Sequence, residues 1–78
     1  MEQVNTIKRV KSNLAGFLNS YERLPHNEMK SVQRELRERL GWSSSGFAYK
    51  KRGDTPIWEH EVAVLHEVFS RYNISIIN

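Results

Sequence analysis

One stretch near the middle of the chain constrains the fold more than any other, because it ends one helix and begins another within a few residues. Leu40-Gly41 closes an amphipathic segment, serines occupy positions 43–45, and a second segment around Phe47 ends at Gly53. Gly supplies the left-handed backbone at which helices commonly stop, and Ser is a preferred residue at a helix start. The pattern therefore predicts two short helices joined by a tight turn.

Apolar residues recur at spacings of three and four along most of the chain, which is the period of an amphipathic helix. Together with the signals for helix ends, they predict four helices, over residues 3–21, 28–40, 44–52 and 56–72. Pro25 excludes a continuous helix through the connection at residues 22–27 because it lacks an amide hydrogen. We therefore expect an all-α fold, a small domain of four or five helices that spans residues 1–78.

Three local features refine these helices. Asn27 is a plausible cap for the second helix, and Thr55-Pro56 is typical of a cap followed by the first residue of a helix. The apolar tail, residues 73–78, is β-branched and alternates only in part. It fits a strand, an arm that covers the core, or a contact with a second copy of the chain.

Size and composition bound the class of protein. With 78 residues, 38% of them hydrophobic, the chain can bury only a modest core. It has no Cys, which excludes disulfides and thiolate zinc sites. No apolar run approaches the roughly 20 residues that cross a bilayer, and the N-terminus lacks the zones of a signal peptide. We expect a cytoplasmic protein without a membrane partner.

The charge is distributed unevenly. The net charge is +3, but residues 30–52 hold seven cations and two acids, giving +5, whereas residues 54–78 hold one cation and four acids, giving −3. A basic middle beside an acidic end concentrates positive potential where a polyanion could bind. The plain alternative is a solvated helix surface on which acids and bases alternate.

The unit described first, a helix ending in Leu40-Gly41 and a second helix anchored by Phe47, resembles the helix-turn-helix of the Cro and phage-repressor family, also called XRE-type regulators. The resemblance covers about residues 28–75, with the motif at about 28–53 and the next core helix at about 56–72. It implies a lambda-repressor-like fold and sequence-specific binding of double-stranded DNA by a small transcriptional regulator. A homodimer is expected, because one short helix reads few bases. The fourth helix and the residues from Ile74 to Ile77 are the candidate dimer surface.

The resemblance also implies which residues would touch DNA. The base-facing positions are Ser44, Ser45, Ala48 and Tyr49, and helical geometry independently places these four on one side of the helix. Contacts to phosphates are expected from Gln33, Arg34, Lys50, Lys51 and Arg52. For the last three, the alternative is a favourable interaction with the negative end of their own helix.

Two residues depart from the family pattern. Arg37 stands where the family favours a small residue, and Lys50 stands where an apolar residue is usual. Either these long side chains cross the core with their stems and hold their charges at its rim, or the third helix is rotated so that Tyr49 fills the gap. In the second case the base-facing positions would shift by about one residue.

Other functions fit the sequence less well. His60-Glu61 lacks the second His four residues on that a zinc protease motif requires, so we expect no metal site. We find no nucleophile with a base and no Gly-rich phosphate loop, and we expect neither an enzyme nor a cofactor. The alternative function is a protein-interaction module, an adaptor or antitoxin-like protein with weak or no DNA binding. RNA binding is a third possibility, but it would call for exposed aromatic side chains, and those such as Trp42 are expected in the core.

Overall fold

The computed structural model describes residues 10–76. Within that range the chain forms four α-helices and no strand: α1 at Leu18–Glu22, α2 at Met29–Leu40, α3 at Ser44–Arg52 and α4 at Glu59–Ser70. A short 3₁₀ turn, His26–Glu28, leads into α2. The prediction of an all-α fold is confirmed for this part of the chain.

The prediction of a first helix at residues 3–21 is wrong over most of the part that the structure describes. Residues 10–17 are not helical, and only α1 remains of it. Instead, Lys11 forms an antiparallel bridge with Trp58, and the flanking amide of Ser12 donates to the carbonyl of Ile57 at 2.9 Å. Residues 3–9 of the prediction lie outside the described residues. The apolar residues at helical spacing do not form one buried face, since Phe17 is buried whereas Val10 is 44% exposed.

At Gly16 the backbone leaves the right-handed helical conformation and approaches α3 closely. The φ of Gly16 is +86°, and a Cβ on it would lie 2.7 Å from the carbonyl oxygen of Lys51. The neighbouring amide of Phe17 donates to that same oxygen at 2.9 Å. The segment therefore packs its backbone directly against the C-terminal end of α3, which an α-helix with side chains at every position could not do.

The second and third predicted helices are confirmed within one residue. Gly41 follows α2 with a φ of +69°, and Gly53 follows α3 with a φ of +88°. The predicted cap at Asn27 is wrong, because the chain enters α2 through the 3₁₀ turn and the capping position is Glu28, with no side-chain bond.

The fourth helix begins three residues later than predicted. Thr55 does not cap it and Pro56 is not its first residue; α4 starts at Glu59 after Trp58. The backbone of residues 57–59 is engaged with residues 10–12, and the amide of Trp58 donates to the Glu61 carboxylate at 3.0 Å. Long-range pairing and a different cap therefore replace the local Thr-Pro signal.

The core is one cluster to which all four helices contribute. Phe17 lies at its centre, with ring centroids 5.7 Å from Phe47 and 6.0 Å from Phe69. Its buried apolar members are Phe17, Tyr21, Leu24, Val32, Leu36, Phe47, Ile57, Leu65, Val68, Phe69, Ile74 and Ile76.

The C-terminal tail is an arm that covers this core. Ile74 and Ile76 are only 5% and 8% exposed within a single copy of the chain. Asn73, with a φ of +60°, turns the chain back after α4, and the amide of Ile74 donates to the carbonyl of Phe69. These two isoleucines are therefore not available as the predicted dimer surface, and Ile77 lies outside the described residues.

Candidate nucleic-acid interface

The turn between α2 and α3 has the predicted construction. Three residues, 41–43, separate the helices. Gly41 adopts the left-handed conformation, and a Cβ there would meet nothing within 4 Å, so its backbone angle and not a lack of space favours Gly. The hydroxyl of Ser43 then accepts a hydrogen bond from the amide of Gly46 at 3.0 Å, which caps α3.

The two sides of α3 differ as the sequence predicts. Phe47 is 2% exposed and anchors the inner side. On the outer side Ser44 and Ser45 are exposed, Tyr49 is 47% exposed, and Ala48 is half-buried. The helix therefore presents two hydroxyls and one phenol to solvent near each other on one surface. The rotated arrangement in which Tyr49 fills the core is wrong.

The ammonium group of Lys50 is largely buried and does not lie at the surface, where a contact to phosphate would require it. The ammonium donates to Glu61 Oε1 at 2.7 Å, and the two side chains are only 13% and 8% exposed. The same ammonium lies 5.3 Å from the ring centroid of Trp42 and 5.7 Å from that of Trp58. The stem thus crosses the core as the first alternative proposed, but the charge ends in a buried ion pair and does not join the outward cations.

Glu61 is the residue that sequence reasoning missed. Besides Lys50, its carboxylate accepts hydrogen bonds from Trp42 Nε1 at 2.9 Å and from the amide of Trp58 at 3.0 Å. Burial acts to raise the pKa of the Glu61 carboxyl, but the hydrogen bonds from Lys50, Trp58 and Trp42 outweigh it, so that the pKa lies below its ordinary value. A signal was present in the sequence, since Glu61 shares the inner side of its helix with Leu65 and a carboxylate there needs a cation.

The last turn of α3 holds two further cations. Arg52 is exposed and pairs with Asp54 at 2.8 Å, and its guanidinium lies 5.4 Å from the ring centroid of Tyr49. Lys51 is half-buried, with its ammonium 4.8 Å from the ring centroid of Tyr21, and it forms no salt bridge within residues 10–76. Of the predicted phosphate residues on α3, Lys51 is thus the one whose charge no described acid balances.

On α2 the predicted residues lie in the first half of the helix, at the surface. Gln33 is half-buried and Arg34 is exposed. Arg34 also lines a shallow pocket of about 300 Å³ together with Arg37, Glu38 and Trp42. Arg37 Nε donates to the carbonyl oxygen of Trp42 at 3.4 Å, a long bond that ties the guanidinium to the turn. Arg37 therefore holds its charge at the rim of the core and adds a cation that was not predicted as a contact.

The positive charge available at this surface is smaller than the sequence suggests. Three of the seven cations in residues 30–52 are balanced by acids, namely Lys50 by Glu61, Arg52 by Asp54, and Arg39 by Glu35 and Glu67. The cations with no salt bridge among the described residues are Lys30, Arg34, Arg37 and Lys51. Arg39 instead helps to join α2 to α4, as does Arg71, which pairs with Glu35 at 2.8 Å.

No three His, Asp or Glu side chains of residues 10–76 are grouped so that they could hold a metal ion. None of the helices in that range is long and apolar enough to cross a membrane.

Comparisons with known proteins return nothing: no family model, no curated protein and no solved structure matches the chain. The resemblance to the Cro and phage-repressor family therefore stays a prediction.

Proposed function

We propose that this chain is a small sequence-specific binder of double-stranded DNA, a transcriptional regulator of the Cro and phage-repressor type with a lambda-repressor-like fold. The observation that carries the proposal is the α2–turn–α3 unit itself. Gly41 and Ser43 join the helices tightly, and Phe47 holds α3 so that Ser44, Ser45 and Tyr49 point away from the core. A short helix presented in this way fits the width of the major groove.

The proposed base contacts come from the outer side of α3. Ser44 and Ser45 occupy its first turn, the end that enters the groove in this type of unit. A hydroxyl donates to or accepts from several bases, so the two serines discriminate weakly. Tyr49 reaches further and is the candidate for a selective contact, and the methyl group of Ala48 suits a thymine methyl.

The proposed phosphate contacts come from both ends of the unit. Gln33, Arg34 and Arg37 lie on α2, and Lys51 lies in the last turn of α3. Lys50 and Arg52 are left out because Glu61 and Asp54 already balance their charges. Few unbalanced cations predict modest affinity for DNA of arbitrary sequence, and this favours a dimer in which two copies bind one helical turn apart.

A selection from a random duplex pool, followed by anisotropy titrations over a range of salt concentrations, tests the proposal. We expect an enriched sequence and a steep loss of affinity with rising salt, because phosphate contacts release counterions. Tyr49→Ala should flatten the preference among sequences, and Tyr72→Phe, a change just after the end of α4, is the matched control. Sedimentation of the complex reports whether one or two copies bind.

The alternative is a protein-interaction module, which the unusual Arg37 and Lys50 first suggested. The Lys50–Glu61 pair accommodates one of these residues inside the fold, so it is no longer a reason to favour that alternative. Absence of any duplex affinity at low salt in the folded protein would overturn the DNA proposal and leave the interaction module, or RNA, to be tested next.

A further inference from the structure

The Glu61 carboxylate joins three separate parts of the chain. Trp42, in the turn before α3, donates to Oε2. Lys50, in the last turns of α3, and the amide of Trp58, just before α4, both donate to Oε1. One side chain of α4 is thus bonded to residues on both sides of Phe47, the apolar anchor of α3.

These attachments differ in kind from the apolar contact that they flank. The contacts of Phe47 are non-directional, so by themselves they leave α3 some freedom to roll about its axis. Hydrogen bonds of 2.7 and 2.9 Å to one carboxylate are directional. Because Trp42 lies in the turn before α3 and Lys50 lies in its last turn, the two bonds attach both ends of α3 to one carboxylate and restrict its roll and its tilt.

A buried ion pair is a weak source of stability, since desolvation of both charges offsets most of their attraction. Its use in specifying one arrangement among several is better attested. Here the arrangement decides how far Tyr49 stands out from the protein, because a roll of one residue position, about 100°, would turn it toward the core.

We propose that Glu61 is a positioning residue for DNA readout: through Trp42 and Lys50 it sets the orientation of α3, and so determines sequence preference without touching DNA. The effect on sequence preference rests on the proposed function, but the orientation of α3 is measurable without DNA. Glu61 itself belongs to no predicted contact, and it faces the core rather than the groove.

The test uses the double variant Lys50→Met, Glu61→Gln. It removes both charges together, so that no unpaired buried charge threatens the fold, while Gln keeps an acceptor for the Trp58 amide. The control is Glu59→Gln, which removes an exposed acid from the same helix. Backbone amide residual dipolar couplings report the orientation of α3 relative to α4 in each folded protein.

We expect the couplings of residues 44–52 to depart from those of the wild type in the double variant and to match them in the control. We also expect the affinity ratio between the selected duplex and a single-base variant to fall by about tenfold, which is the order of discrimination that one base-edge interaction supplies. Unchanged couplings in the folded double variant overturn the inference. So does an unchanged affinity ratio, which would mean that the pair serves stability alone. If the wild type binds no duplex, the proposed function fails, whereas changed couplings would still support the positioning of α3.

Discussion

Replacing Gly16 with Ala tests the least expected part of the fold, the close approach of the N-terminal segment to the end of α3. The new Cβ would lie 2.7 Å from the carbonyl oxygen of Lys51 and 2.8 Å from the nitrogen of Gly53. The left-handed backbone at position 16 costs about 1–2 kcal/mol for a residue with a side chain. Separating the two backbones also weakens the 2.9 Å bond from the Phe17 amide, at a cost of about 1–3 kcal/mol if both groups are left unpaired.

Gly41→Ala is the matched control, because Gly41 has the same backbone conformation with nothing within 4 Å of the added atom. Ala also lowers the conformational entropy of the unfolded chain, which stabilises both variants by about 0.4–1 kcal/mol. We therefore expect the free energy of unfolding to fall by about 1 kcal/mol for Gly41→Ala and by about 2–4 kcal/mol for Gly16→Ala.

Urea titrations followed by helical circular dichroism and by Trp fluorescence measure both values, and the slope with urea shows whether the transition stays two-state. Equal losses in the two variants would refute the close approach, since only Gly16 faces a neighbouring backbone. A loss of about 2–4 kcal/mol is a large share of the stability of so small a domain, so Gly16→Ala should be studied at low temperature.

Three further outcomes follow from the site. Asp54→Asn should raise the affinity for all duplexes and steepen the salt dependence by about one phosphate contact, because it releases Arg52; anisotropy at several salt concentrations measures this. Lys51→Ala should weaken binding to every duplex by a similar factor, whereas Tyr49→Ala should change the ranking of duplexes in a competition assay. Because the pKa of Glu61 is lowered in the folded protein, folding favours its ionised form. This contribution to the free energy of unfolding is present above about pH 5. It is lost as the pH falls below the ordinary pKa of a glutamate toward the lower pKa of the folded state. As the pH is lowered from about 7 to about 3, the urea midpoint should therefore fall more steeply in the wild type than in the double variant Lys50→Met, Glu61→Gln.

The parts of the fold that were predictable are those with signals inside a few residues. Gly41 and Gly53 each need a left-handed backbone, and Ser43 needs only the next turn of chain to act as a cap, so the bounds of α2 and α3 followed from local chemistry. The same reasoning failed for the first helix. Apolar residues do recur at helical spacing there, but Gly16 packs against the backbone of residue 51. No local sequence pattern contains that long-range contact.

Within the site, exposure was predictable and charge pairing was not. The outward position of Tyr49 follows from the inward position of Phe47 through helix geometry alone. The partner of Lys50 lies 11 residues away across two helices, so a count of cations along the sequence included a charge that the fold neutralises. An acid at an inner helical position, such as Glu61, was the one available sign that a cation of the basic run would turn inward.

The pairing changes what the basic middle of the chain can do. If all its cations faced DNA, strong attachment to any phosphate backbone would mask a weak preference among sequences. Lys50 is instead used inside the protein, and Arg52 is held by Asp54 beside Tyr49, so the outer side of α3 is largely polar and uncharged. Under the proposed function, such a surface gains affinity for DNA mainly where hydroxyl and phenol groups find matching base edges. On the same proposal, the pairing of Lys50 and Arg52 favours selectivity among duplexes over affinity for all of them, provided that α3 keeps one fixed orientation.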